Sequence, residues 1–383
     1  MTSAVVIGGG VIGLSVAWRA AQRGLAVTLA DPAPGSGASH AAAGMLTPVA
    51  EAAYAEKDLL ALGLESLRRY PDFAAELTAL TGEPTGLRWT GTLQVAYDAD
   101  DLAVIDEVHA LQTAFGVPAE RLTARQCRAA EPLLSPSVRG GLRTAKDGSV
   151  DPRRLTRALL AAARLAGVTI IREAVTEVLI SGGAAAGVRL AGGREVSAGQ
   201  VVLAAGWNSP AIGGLPAGAV PPVRPVKGQI LRLRATADTG QPGLCLRGVV
   251  RGHSVYLVPR DDGELVVGAT QEEMGQDTRV TAGGIWELLR DAHTLLPGLT
   301  EFTFAEATAG LRPGTPDNAP LLGPAGLAGL VLATGHFRSG VLLAPVTAEV
   351  VADYLATGNL ATMASAFTAG RLGGGRPQGA QRL

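Results

Sequence analysis

The sequence predicts an α/β protein: a Rossmann-like dinucleotide-binding domain, discontinuous along the chain, combined with an antiparallel-sheet substrate domain. Three observations carry this. A strand, glycine turn and helix open the chain; a second apolar strand ends in an acid; and a strand-rich middle lies between two returns of buried strand and helix.

The first element is Ala4-Val5-Val6-Ile7, an apolar run that leads into Gly8-Gly9-Gly10-Val11-Ile12-Gly13. A buried parallel strand running into Gly-x-Gly-x-x-Gly and a helix is the dinucleotide fingerprint. Gly8 permits the tight turn, Gly10 lets a pyrophosphate approach the backbone, and Gly13 lets the helix pack on the strand. The phosphate is then expected on free helix N–H groups. The helix spans residues 11 to 23 and stops at Gly24. Residues 25 to 30 form the second strand and end at Asp31, where a ribose-binding acid belongs.

After Asp31 and Pro32, turn residues give way to Ser39-His40-Ala41-Ala42-Ala43-Gly44-Met45. Such small side chains suit either a loop leading to an Ala-rich helix or a backbone lying against a large flat ligand. Residues 51 to 80 carry apolar stripes at helical spacing, 92 to 97 alternate like a half-buried strand, and 102 to 115 read as a helix. Asp151-Pro152 is a good N-cap and N1 pair for a helix over 151 to 166. Strands follow at 168 to 171 and 175 to 180, then a glycine-rich hairpin, then a buried strand at 201 to 207. Strands dominate from 223 to 272, and residues 285 to 296 are a helix. Residues 330 to 340 repeat the pattern of strand, glycine turn and helix, and that helix runs to about residue 355. The boundaries expected are 1 to 50, 145 to 220 and 305 to 365 for the nucleotide domain and 51 to 144 and 221 to 304 for the substrate domain. A disordered tail is expected over 368 to 383.

Composition narrows the function. A net charge of -1 offers no basic field for nucleic acid. No stretch of about eighteen uninterrupted apolar residues suggests a membrane span, and the opening strand leaves no room for a signal peptide. Two distant cysteines, Cys127 and Cys245, fit a disulfide-free cytoplasmic protein. The five histidines form no metal spacing, so no metal is expected.

Four segments together resemble a known family: residues 6 to 13; residues 39 to 46; Gly310-Leu311-Arg312-Pro313-Gly314-Thr315-Pro316-Asp317; and Gly335-His336-Phe337-Arg338-Ser339-Gly340. They are similar, in order and over nearly the whole chain, to the FAD-dependent D-amino-acid oxidase superfamily, most closely its glycine oxidase branch of thiamine biosynthesis. The resemblance implies non-covalent FAD. It would contact Gly8, Gly10, Val11, Ile12, Gly13, Asp31, Pro32, Ser39, Ala43, Gly44, Met45, Val175, His336, Phe337, Arg338, Ser339, Gly340, Val341 and Leu342. It also implies that Arg312 holds a substrate carboxylate, with Arg338 and Tyr256 completing the clamp, and that the protein forms a homo-oligomer, often a homotetramer in this family. Two residues depart from the pattern: Gln271 stands where an apolar residue near the substrate is expected, and Ser339 where asparagine is frequent.

The implied activity is oxidative deamination of glycine, sarcosine and small D-amino acids to a 2-oxo acid, ammonia and hydrogen peroxide. The electrons would pass by hydride transfer to flavin N5 and on to molecular oxygen, and iminoglycine would feed thiazole synthesis. A planar guanidinium at Arg312 suits a carboxylate because it pairs with both oxygens at once. No general base is assigned, and His336 is read as structural or flavin-shielding. Three alternatives stay open on the residues alone: a D-amino-acid oxidase of broader specificity, a nicotinamide-dependent dehydrogenase, and a flavin-binding scaffold.

Overall fold

The computed structural model describes residues 2–50, 56–236 and 238–372. The opening apolar run forms the strand Ser3–Ile7, buried from Ala4 onward. It lies inside a six-stranded sheet ordered Leu321–Pro324, Leu330–Thr334, Gln200–Leu203, Ser3–Ile7, Ala26–Ala30, Thr169–Ile171. All neighbours pair in parallel except Leu321–Pro324, which runs antiparallel to Leu330–Thr334. Strands covered on both faces need continuous apolar runs, and Val5, Val6, Val201, Val202 and Leu203 supply them.

One face carries the helices Val11–Gln22, Lys57–Thr81, Pro152–Leu165 and Gly340–Thr357, which pack on one another. Trp18, Tyr70 and Phe73 fill the space between them, with the Phe73 ring edge-on to both others. Asp151 caps Pro152–Leu165 as its sequence pattern predicts, accepting from the Arg153 and Arg154 N–H groups. Gly340–Thr357 is long and apolar enough to cross a membrane by length and composition, yet 67% of it is buried inside the fold. On the other face, Val178, Val188 and Leu190 of a small three-stranded sheet pack against Val5, Ile7 and Val201.

A second sheet has eight strands, in the order Thr303–Gly314, Arg224–Arg234, Glu264–Gly268, His253–Pro259, Cys245–Val250, Thr92–Ala96, Gly140–Thr144, Glu120–Thr123. Its pairs are antiparallel with one exception to the sequence expectation: Cys245–Val250 runs parallel to Thr92–Ala96. The helix Ala282–Leu295 covers its core through Leu288, Ala292 and Leu295.

The structure corrects several expectations. Residues 305 to 314, assigned from sequence to the nucleotide domain, belong to a strand that pairs with Arg224–Arg234 along its length in the eight-stranded sheet. The Ala-rich stretch after Asp31 makes only the four-residue helix Ala38–Ala41. Its neighbour Ala42 leaves the helical region at ψ 145, and Gly44 has a φ of +75. Of the tail expected to be disordered, Ala369–Leu372 forms a 3-10 turn. The Arg371 guanidinium ties it down by donating to both Asp317 carboxylate oxygens and to the Ala319 carbonyl. Residues 373 to 383 of that tail, and residues 51 to 55 of the helix expected over 51 to 80, lie outside the described residues.

Candidate active site

A cavity of about 530 Å³, lined by residues of both large sheets, runs from the first glycine turn to Arg312 and Tyr256. That volume falls within the roughly 300–1,000 Å³ of ordinary ligand cavities. The lining takes in Gly8, Gly10, Val11, Ile12, Asp31 and Pro32 around the glycine turn, then Ser39, Ala43, Gly44, Met45 and Val175, and Tyr256, Arg312, His336, Phe337, Arg338, Gly340 and Val341.

The three fingerprint glycines have different neighbours. A Cβ on Gly8 would run into the Ala204 backbone, and one on Gly13 into the Gly8 carbonyl, so both are required by the packing of strand, turn and helix. A Cβ on Gly10 would have only Ser39 Oγ nearby, at 3.4 Å. Its open side is the cavity. Asp31 closes the turn from below: its carboxylate accepts from the Gly9 N–H at 2.6 Å and the Ala33 N–H at 2.7 Å. Ser39 Oγ accepts from the Val11 N–H at 3.0 Å, satisfying one first-turn donor of the helix.

At the far end, Arg312 projects from the strand Thr303–Gly314 and is half-buried. Its Nη1 donates to the Thr270 carbonyl at 3.1 Å and to the Lys227 carbonyl at 3.4 Å. Among the described residues it forms no ion pair with a carboxylate. A guanidinium that faces a cavity and is held only by backbone carbonyls keeps donors for an incoming anion. Arg338 is exposed on the same cavity and lies over the Phe337 ring, 5.3 Å from its centroid.

His336 is fully buried, and its Nε2 sits 3.0 Å from Thr347 Oγ1. Burial pushes its pKa down to about 3, so the ring is neutral across the ordinary pH range. Past it, Ser339 starts the helix Gly340–Thr357, whose first turn borders the cavity at Gly340 and Val341.

A family profile described as FAD dependent oxidoreductase matches residues 3–354. The chain belongs to this FAD-dependent oxidoreductase family. It is 37% identical over 353 residues to the bifunctional protein ThiO/ThiG of Trichormus variabilis, covering 92% of this chain and 52% of that protein. It is 33% identical over 352 residues to the glycine oxidase of Geobacillus kaustophilus, covering 91% of each. The crystal structure of glycine oxidase from Geobacillus kaustophilus superposes with a TM-score of 0.89 at 30% identity, over 96% of this chain and 99% of that one. The chain spans about half the length of the ThiO/ThiG relatives it matches.

Membership of an FAD-dependent family replaces the nicotinamide alternative, and the cavity suits FAD. Its lining includes a turn glycine, Gly10, that no protein contact demands, and the starts of two helices border it at Val11 and Gly340. Three residues expected to touch the cofactor lie outside the cavity wall: Gly13 packs under Gly8, Ser339 sits at the helix cap, and Leu342 points into the helical core. Gln271, expected near the substrate, is exposed and absent from the lining, although its neighbours Thr270 and Glu272 still bond to the strand Arg224–Arg234. The wall also includes residues that the sequence reading did not assign to a site, among them Trp207, Asn208, Gly228 and Ile230. A glycine inside a strand was the available signal for Gly228.

Proposed function

We propose that this oxidoreductase oxidises glycine, with sarcosine and small D-amino acids as further substrates, giving a 2-oxo acid, hydrogen peroxide and ammonia, or methylamine in the case of sarcosine. The observation that carries the reading is the Arg312 guanidinium, which faces the cavity and is held by carbonyls alone. For glycine the balance is one glycine, one oxygen and one water in, and one glyoxylate, one ammonia and one hydrogen peroxide out.

FAD, when bound, supplies the two-electron acceptor. Gly10, Val11 and Ile12 with Asp31 would hold its nucleotide half, and Ala43 to Met45 with the helix start at Gly340 its ring half. Arg312 would pair with both carboxylate oxygens, fixing the amino acid's orientation so that a positioned step replaces a random encounter. Tyr256 and Arg338 border the same space and complete the clamp. No side chain is assigned as general base; the substrate reacts as the neutral amine. The backbone N–H groups at residues 340 and 341 favour negative charge developing nearby.

The sequence likeness to ThiO/ThiG proteins supports a role in supplying the imine for thiamine thiazole synthesis. The expected cytoplasmic location and homo-oligomeric assembly belong to the same reading. Anaerobic addition of glycine to the purified yellow protein tests the core of it: the flavin absorbance should bleach, and air should restore it with release of peroxide. A flavin band that no amino acid bleaches would leave only a binding scaffold. A panel of glycine, sarcosine and D-alanine separates the narrower enzyme from a broad D-amino-acid oxidase; D-alanine far outrunning glycine would favour the latter.

A further inference from the structure

Gly228 lies inside the strand Arg224–Arg234, buried, with no positive φ. Glycine weakens a strand interior, so its presence there without a backbone reason calls for a steric one. The steric reason is on the page. A Cβ built on Gly228 would lie 2.5 Å from Arg312 Cζ and 2.5 Å from Nη1, inside the volume of the guanidinium itself. The head group therefore lies flat on the bare backbone of the neighbouring strand. In that position Nη1 reaches the carbonyls of Thr270 and Lys227.

The surroundings repeat the pattern. Directly opposite Gly228 across the strand pair is Gly310, where a Cβ would come within 2.7 Å of Ala41 Cβ in the short helix on the cavity wall. One strand over, Tyr256 is paired with Gly268, and a Cβ there would fall 2.6 Å from the tyrosine Cε2. The cavity end is thus a shallow trench of side-chain-free backbone into which Arg312 and Tyr256 are laid.

We propose that Gly228 is a positioning residue for substrate binding: it is the seat that sets the depth and tilt of the Arg312 guanidinium. The proposal rests on the reading of Arg312 as the carboxylate-binding group. A methyl group at position 228 lifts the guanidinium off the sheet, breaks its carbonyl bonds and carries it into the space meant for the substrate carboxylate.

The test uses the FAD-loaded enzyme and acetate as probe, followed by the perturbation of flavin absorbance. Gly228→Ala should weaken acetate binding and raise the glycine KM by about tenfold or more, as expected for a misplaced charge-assisted pair. The FAD dissociation constant of the apoprotein should stay within about threefold, since Gly228 lies at the substrate end. The deciding measurement is the double variant with Arg312→Ala, in which the methyl group has room. There Gly228→Ala should have no further effect on acetate or KM. Should Gly228→Ala alone fail to fold or load FAD, recovery in the double variant identifies the clash with Arg312 and supports the seat. Failure of both, an unchanged acetate affinity in Gly228→Ala, or a penalty that persists without Arg312 overturns it. If Arg312→Ala itself binds acetate normally, the carboxylate reading fails instead, and the two failures are told apart.

Discussion

The buried guanidinium of Arg260 donates to the carbonyl of Ala43, so a side chain from the turn after the strand His253–Pro259 fixes a peptide on the cavity wall. Its Nη1 also donates to the Val150 carbonyl at 2.9 Å. Two further arginines hold the same loop: Arg153 Nε at 3.1 Å and Arg232 Nη2 at 3.5 Å both reach the His40 carbonyl. These outside donors add to the bonds that the loop makes through Ser39 Oγ and through the Gly44 carbonyl, which accepts from the Val150 N–H.

Arg260→Met should therefore leave two carbonyls in a buried place without donors, at about 1–3 kcal/mol each. The expected result is a lower Tm and weaker FAD binding by the apoprotein, measured by flavin fluorescence. Arg260→Lys should recover part of the loss, since one ammonium does not reproduce a forked pair of bonds.

Arg312→Ala should keep FAD, because the side chain bonds the Lys227 and Thr270 carbonyls and not the glycine turn proposed to hold the nucleotide half. Loss of a charge-assisted hydrogen-bond pair, about 1.5–3 kcal/mol, should lower kcat/KM for glycine by about 10- to 150-fold. Steady-state peroxide assays measure it, and unchanged kinetics would remove Arg312 from the site.

Asp31→Asn leaves one acceptor oxygen for the two N–H groups of Gly9 and Ala33 that the carboxylate now serves. The turn should loosen, and the FAD dissociation constant should rise by about tenfold or more, as for one lost hydrogen bond to a charged group. Titration of apoprotein with FAD reads this directly, with glycine KM at saturating FAD nearly unchanged.

His336 supplies a pH signature. Its folded-state pKa, pushed down to about 3 by burial, lies below that of an exposed histidine. Below about pH 6.5 the unfolded chain binds a proton that the folded chain refuses, so stability falls as pH drops, by about 1.4 kcal/mol per unit from this group, until about pH 3. Urea midpoints between pH 4 and 7 should show that slope. His336→Gln, which can still bond to Thr347, should flatten it; an equal slope in the variant would assign the acid sensitivity to other groups.

Legibility in the sequence follows the distance over which a feature is encoded. The turn Gly8 to Gly13 with Asp31, and the strand and helix around His336, are contiguous segments whose chemistry depends on backbone spacing, and each lies where its pattern predicts. Arg312 was legible as a candidate but not as part of a strand, because its partner strand, Arg224–Arg234, lies about eighty residues earlier in the chain. Gln271 misled for the opposite reason: it is adjacent in sequence to Thr270, whose carbonyl holds Arg312, but it points away from the cavity.

By itself the sequence determined the nucleotide-binding half, since a strand, a glycine turn and a helix start are specified by local periodicity and by the few residues that tolerate tight backbone. The tertiary structure alone decided what holds the substrate end. Whether a glycine is an ordinary turn or the bed for a guanidinium, and which carbonyls an arginine reaches, depends on the register of strands that lie far apart in the chain. No local pattern records that.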